Sequence, residues 1–321
     1  MRGKRMKKIV DDPRLIAKIC EMYYNQDMNQ TIIAKELSLS RPTVSRLIQS
    51  GREQGIVKII IENVAGIDFV PLEYELEQKF GLKEVIIAKN GKDDGSNETF
   101  VGRVAGEYLK NIINDGNTIG ISMGSTLREM VKESEGNGRK NLKFFPLIGG
   151  MGQLRTELHS NSLAENLAKR YDGIYIPMHA PARVSTMYIR DKLMKEASIS
   201  NVVDQCENLD IAVVGIGYPD ESSAIMATGY YSKEDMLKMA DRQVAGDICM
   251  QFYDANGKTA PFKKENMVVG LNIKKLKEIP QVIGVAYGIK KISGIKGAIK
   301  GKYINTLITD EKTAKALILD N

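Results

Sequence analysis

Between residues 28 and 58 the apolar positions fall into two short stripes. Ile33, Ala34 and Leu37 share one face at the 3 and 4 spacing of a helix, and Val44, Leu47 and Ile48 repeat the pattern. The spacing predicts two helices joined by a tight turn. In Ser38-Leu39-Ser40, Leu39 is placed to plug the angle, Ser40 to cap the next helix, and Pro42 is tolerated in its first turn. Upstream, residues 14–24 read as a supporting helix with Leu15, Ile19, Met22 and Tyr23 inward. Downstream, 56–61 is β-rich and reads as a short strand or wing, 63–66 as a linker, and 71–80 as a helix ending at Gly81.

From residue 84 onward the pattern changes. Short continuous apolar runs at 84–88, 118–122, 144–148, 173–176, 211–216, 282–286 and 306–309 alternate with amphipathic stretches, among them 101–113, 125–133, 160–171 and 191–196. Apolar strands separated by helices imply a mostly parallel sheet covered on both faces. The fold expected is therefore α/β: a helix-turn-helix domain over 1–63 and a large Rossmann-like α/β domain over 64–321.

With the apolar stripe of the second short helix turned inward, Arg41, Pro42, Thr43, Ser45, Arg46 and Gln49 are left for its outer face. That is the composition of a helix that reads DNA in the major groove, where Arg pairs with guanine, Gln with adenine, and a Thr methyl touches the thymine methyl. Charge supports this. Residues 1–63 hold 12 Lys/Arg against 7 Asp/Glu, so +5 of the chain's net +6 lies there. Much of it comes from Arg2, Lys4, Arg5, Lys7 and Lys8, side chains suited to neutralising phosphates; a solvated basic tail is the other reading of that run.

At 321 residues, one small domain plus one larger one is expected. No apolar run is long enough for a membrane helix, and the N-terminus has no signal-peptide core, so no membrane partner and a cytoplasmic location are expected. Cys20, Cys206 and Cys249 are too few and too scattered for a disulfide framework, and with only His159 and His179 a metal site built on several His is excluded. No cofactor is expected.

Three glycine-bearing segments follow predicted strands, where ligands bind in parallel sheets. The first, 120–126, adds Ser122, Ser125 and Thr126 to a new helix start, a combination suited to phosphate. The others are 147–152, with Gly149 and Gly150, and 214–217. None forms a G-x-G-x-x-G fingerprint or a P-loop, which disfavours nucleotides.

Taken in order, S-R-P-T-V-S-R-L, G-I-S-M-G-S-T, L-I-G-G-M-G, V-V-G-I-G, the segments 245–249 and 252–257, and 307–314 resemble the SorC family of bacterial sugar-responsive transcriptional regulators, from about residue 14 to the end. The resemblance implies a large domain folded like sugar-phosphate isomerases and deaminases, a phosphorylated sugar effector, operator DNA, and homodimers or homotetramers. It places Ser122, Gly124, Ser125, Thr126, Gly149 and Gly150 in effector loops, Asp247 as acceptor of sugar hydroxyls, and Lys291 beside the phosphate. Tyr287 departs from the family's glycine at that point, and Lys290 leaves the basic position open by one residue. The expected function is control of a carbohydrate-utilisation operon. The alternative is a sugar-phosphate isomerase or deaminase, with Asp247 or Glu157 as base and Lys291 as electrophile, carrying an autoregulatory DNA module.

Overall fold

The computed structural model describes residues 12–59, 69–89, 97–150, 155–220, 223–227 and 229–320. The chain divides into two compact units, Met1–Ala65 and Gly66–Asn321. The basic residues 2–8, the linker 63–66, and Met151 and Gly152 of the second glycine segment lie outside the described residues.

In the first unit three helices, α1 (Pro13–Tyr24), α2 (Gln30–Glu36) and α3 (Arg41–Glu53), enclose a core of Ile16, Ile19, Ile33, Val44, Leu47 and Ile48. Each helix starts on a side-chain cap: Asp12, Asn29 and Ser40 accept backbone amides of their own first turns. Ser38 turns the chain with φ +52, and the Leu39 amide donates to the Ala34 carbonyl. The strand or wing expected after α3 is not formed over its described part: residues 56–57 bend and 58–59 carry no regular structure, with Ile59 60% exposed, and 60–61 lie outside the described residues. β propensity alone does not make a strand where the described residues of this unit offer no partner.

The second unit is built on seven strands, all parallel: β1 (Glu84–Ala88), β2 (Thr118–Ile121), β3 (Lys143–Pro146), β4 (Ile174–Tyr175), β5 (Ile211–Gly215), then β8 (Gln281–Val285) and β9 (Thr306–Asp310), in the spatial order β1-β9-β8-β5-β2-β3-β4. Between β5 and β8 lies an antiparallel pair, β6 (Val244–Ile248) and β7 (Gln251–Asp254). Helices α4 (Val70–Phe80), α5 (Asn97–Ile112), α6 (Ser125–Glu133), α7 (Ser160–Arg170), α8 (Met187–Leu193), α9 (Ala197–Cys206), α10 (Ala224–Ala227), α11 (Lys233–Asp241), α12 (Ile292–Lys300) and α13 (Glu311–Leu319) complete the element order. Alternate residues of one strand feed opposite cores: Ile211 and Val213 join one side with α5, α6 and α7, whereas Ala212 and Val214 join the other with α4, α9, α12 and α13.

Two details depart from expectation. The helix placed at 191–196 is α8, which starts four residues earlier because the Thr186 side chain caps it by accepting from the Ile189 amide. The β6–β7 hairpin turns at Cys249 and Met250, both left-handed at φ +53 and +56, a turn that ordinarily takes Asn-Gly.

From β2 the chain moves outward to β3 and β4, then returns to place β5 on the other side of β2 and continues to β8 and β9. The switch between β2 and β5 opens a crevice at their carboxyl ends.

Candidate DNA-reading surface and effector pocket

On α3, Arg41, Pro42, Ser45, Arg46 and Gln49 are exposed and Thr43 is half-buried, while Val44, Leu47, Ile48 and Gly51 face the core. The six proposed reading residues thus share the outward face. Their chemistry is not equally available. The Thr43 hydroxyl sits 2.7 Å from Ser40 Oγ as part of the cap, and Gln49 Nε2 donates to Glu53 Oε1 at 2.9 Å. Arg52, also exposed, donates from Nε to the Tyr24 hydroxyl at 2.6 Å and so ties α3 to α1.

In the second unit a cavity of about 380 Å³ lies at the carboxyl ends of β2, β5 and β8, within the size range of small-ligand sites. The 120–126 segment supplies Gly124, Ser125 and Thr126 to it, and α6 begins there with no side-chain cap on its first-turn amides. A new helix start with open amides and the Ser125 hydroxyl suits an anion, while the Thr126 hydroxyl donates to Glu98 Oε1 at 3.4 Å. Gly215 and Gly217 come from the segment after β5, and Tyr287, Lys290 and Lys291 from the segment after β8.

The cations differ. Lys290 is 77% exposed at its side chain and pairs with Asp220 at 3.3 Å, whereas Lys291 Nζ sits 5.5 Å from the centre of the Tyr287 ring. Lys291 is only partly exposed, and enclosure by its neighbours holds its ammonium below the ordinary lysine range, opposed by the charges of Asp247, Glu98 and Asp220. The geometry therefore favours Lys291 over Lys290 as the enclosed cation.

Asp247 lies on β6, 5% exposed, with Oδ1 lacking any hydrogen-bond partner. Its backbone exchanges both hydrogen bonds with Gly217. A Cβ at residue 217 would come within 2.0 Å of Oδ1, so glycine there is what lets the carboxyl fit. Burial pushes the carboxyl up to about 7, with Lys291 and the Met250 amide pulling the other way.

Three sequence assignments move. Ser122 is 1% exposed and does not line the cavity: its Oγ accepts from the Gly215 amide at 3.1 Å and so joins two pocket loops. Gly149 and Gly150 also lie outside the lining, because their amides already donate to the Val269 and Ala180 carbonyls. A Cβ at residue 149 would meet the Ala180 and Pro181 oxygens within 2.6 Å, so this glycine serves packing. Glu157, the base of the enzyme alternative, is absent from the lining and pairs with Arg155 at 2.6 Å. Sequence reasoning had not named Glu98, Asp220 or Cys249 as pocket residues; they converge from α5, the segment after β5 and the hairpin turn, and only the topology unites them.

The family model described as "Putative sugar-binding domain" matches residues 67–319, which takes in the whole described pocket. The sorbitol operon regulator of Klebsiella pneumoniae is 36% identical over 311 residues, covering 96% of this chain and 98% of that protein. This chain belongs to the SorC family of sugar-binding bacterial transcriptional regulators. The crystal structure of that full-length SorC protein superposes with a TM-score of 0.72, covering 96% of this chain and 99% of the other. The deoxyribonucleoside regulator of Bacillus subtilis (strain 168) is 29% identical over 310 residues, covering 96% of this chain and 98% of its own length. The function class is that of a DNA-binding transcriptional regulator with a sugar-binding domain, not that of an enzyme. No described helix is long and apolar enough to cross a membrane, and the described Cys20, Cys206 and Cys249 are buried free thiols.

Proposed function

We propose that this SorC-family regulator controls a carbohydrate-utilisation operon and that its effector is a phosphorylated sugar or sugar alcohol, held in the cavity at the carboxyl ends of β2, β5 and β8. The observation that carries the reading is the pairing of opposites in one enclosed space. An uncapped helix start with Ser125, Thr126 and the enclosed Lys291 suits a phosphate, and the unpartnered Asp247 oxygen suits a hydroxyl donor. The relatives named for sorbitol and deoxyribonucleosides support a polyhydroxylated ligand.

On α3, Arg41, Pro42, Thr43, Ser45, Arg46 and Gln49 form the DNA-facing surface, with Arg41 and Arg46 as base-edge or phosphate contacts. A dimer or tetramer brings two such helices onto one face of the duplex, with half-sites about 34 Å apart or a multiple of it. Effector binding biases the subunit arrangement only so far as it binds the two arrangements unequally.

A thermal-shift comparison of matched phosphorylated and unphosphorylated sugars tests this, since a ligand of the native state raises Tm by mass action. Stabilisation by a phosphorylated member and not by its parent sugar is expected, and it disappears in Thr126→Val and Lys291→Ala. Equal stabilisation by the unphosphorylated sugar refutes the phosphate site.

A further inference from the structure

We infer that helices α8 and α11 form one self-complementary surface through which two copies of the chain pair about a two-fold axis, α8 of each copy lying against α11 of the other. The inference rests on the homo-oligomer reading above and adds the surface that makes the contact.

Seven residues supply too few hydrogen bonds to hold a helix by themselves, and short helices persist in proteins through the face they bury. None of Met187–Leu193 in α8 is buried, although Leu193 reaches the core half-buried. The fixed points of the helix are the Thr186 cap and Arg190, whose Nε donates to the Val268 carbonyl at 2.9 Å. Tyr188, 71% exposed, and Ile189 are left to solvent, with the exposed Lys192 one turn on from Tyr188.

In α11 the inner face is filled by Met236 and Met239. Glu234, Leu237, Lys238 and Asp241 follow one another at helical spacing on the outer face, and Leu237 is 67% exposed. Both helices are fastened to the same backbone segment. In the stretch leading into α8, Arg183 pairs with Val268 in an antiparallel bridge and lays its guanidinium 4.5 Å from the centre of the Tyr231 ring, next to the cap of α11. Just after α11, Arg242 pairs with Glu265 at 2.6 Å. Tyr188, Ile189 and Leu237 therefore belong to one neighbourhood, and exposed apolar side chains gathered in this way mark a contact surface.

The charges say what covers it. Arg190 and Lys192 outnumber Asp191 on α8, while Glu234, Asp235 and Asp241 outnumber Lys233 and Lys238 on α11, so one helix is positive and the other negative. Arg190 is paired with Asp191 at 3.0 Å and Lys238 with Glu234 at 2.7 Å. Lys192 and Asp241 are both exposed and have no ion pair among the described residues. One apolar helix with a spare cation beside another with a spare carboxylate complements itself when turned about a two-fold, where each contact is made twice. A second copy supplies both halves at once.

Sedimentation velocity of the full chain over a dilution series tests the pairing. Tyr188→Ser and Leu237→Ser should each raise the dissociation constant of assembly by at least about 10-fold, with the circular dichroism of the parent retained. Lys192→Glu and Asp241→Lys should each weaken assembly at low salt, because each sets like charges opposite one another twice about the axis. Combining the two reversals restores the pair with its signs exchanged and should bring assembly back to within about 3-fold of the parent, a rescue that damage to the fold would not show. Assembly unmoved by Tyr188→Ser and Leu237→Ser, or a double reversal no tighter than its single variants, overturns this surface while leaving the homo-oligomer reading intact. A parent chain that stays monomeric throughout the series overturns both.

Discussion

Asp247 and Gly217 define the pocket at the level of single residues. The backbone bridge between them aims a carboxyl into the cavity, and the missing Cβ leaves it room. Gly217→Ala should therefore abolish effector-induced stabilisation while DNA affinity without effector stays close to the parent's, because the DNA-reading helix belongs to the other unit. Titrating effector into the variant by thermal shift, with DNA binding measured in parallel, checks this. Asp247 also shapes apo stability. Its carboxyl is raised in the folded state from an ordinary aspartate value to about 7, so the native state holds the proton more tightly than the unfolded chain. The favourable contribution is present below the unfolded value and is lost as pH rises through about 7. Asp247→Asn should remove that loss, so that the Tm of the apo variant, relative to the parent, is higher at pH 8 than at pH 5. A parallel pH dependence in both proteins would contradict the assignment. Cys249 and Asp220 were illegible as site residues, since neither lies in a glycine-rich motif and each reaches the cavity only through its turn.

Among the elements, α3 depends on its cap and its buried stripe. Ser40 accepts from the Thr43 amide, so Ser40→Ala should cost about 1 kcal/mol of first-unit stability, measured by denaturant unfolding. Arg41→Ala and Arg46→Ala should each weaken DNA binding by about 1–3 kcal/mol if they contact base edges, with effector binding unchanged. Fluorescence anisotropy on a selected DNA fragment reads the first effect and calorimetry the second. The helix-turn-helix was legible because local signals agree there: helical spacing at Ile33, Ala34, Leu37 and Val44, Leu47, Ile48, a capping Ser40, and Pro42 in the first turn. The parallel strands were legible for a similar reason, as apolar runs bounded by glycine or polar turns. The β6–β7 hairpin was not, because Cys249-Met250 lacks the asparagine and glycine that announce a tight turn, and both residues are buried apolar positions that happen to take the left-handed backbone. The strand expected at 56–61 is absent from its described part, 56–59, for the opposite reason: local propensity is present there and a described pairing partner is not.

For the whole molecule, two units of unlike chemistry share one chain. A basic helical unit exposes Arg41 and Arg46, and an α/β unit holds a largely apolar cavity with a few charged and hydroxyl side chains at the switch point of its sheet. The sheet topology explains why the cavity forms between β2 and β5 rather than at the described residues 147–150. There the Gly149 and Gly150 amides are spent on neighbouring backbone. Coupling between effector and DNA is reciprocal: whatever factor the sugar phosphate applies to DNA affinity, DNA applies to sugar-phosphate affinity. The most direct test is the affinity of the full chain for a DNA fragment selected from a random pool, measured with and without the sugar phosphate that raises its Tm. A change of roughly 5-fold or more, absent with the unphosphorylated sugar and absent in Lys291→Ala, is the expected result. An affinity unmoved by a sugar phosphate that demonstrably binds would contradict the account.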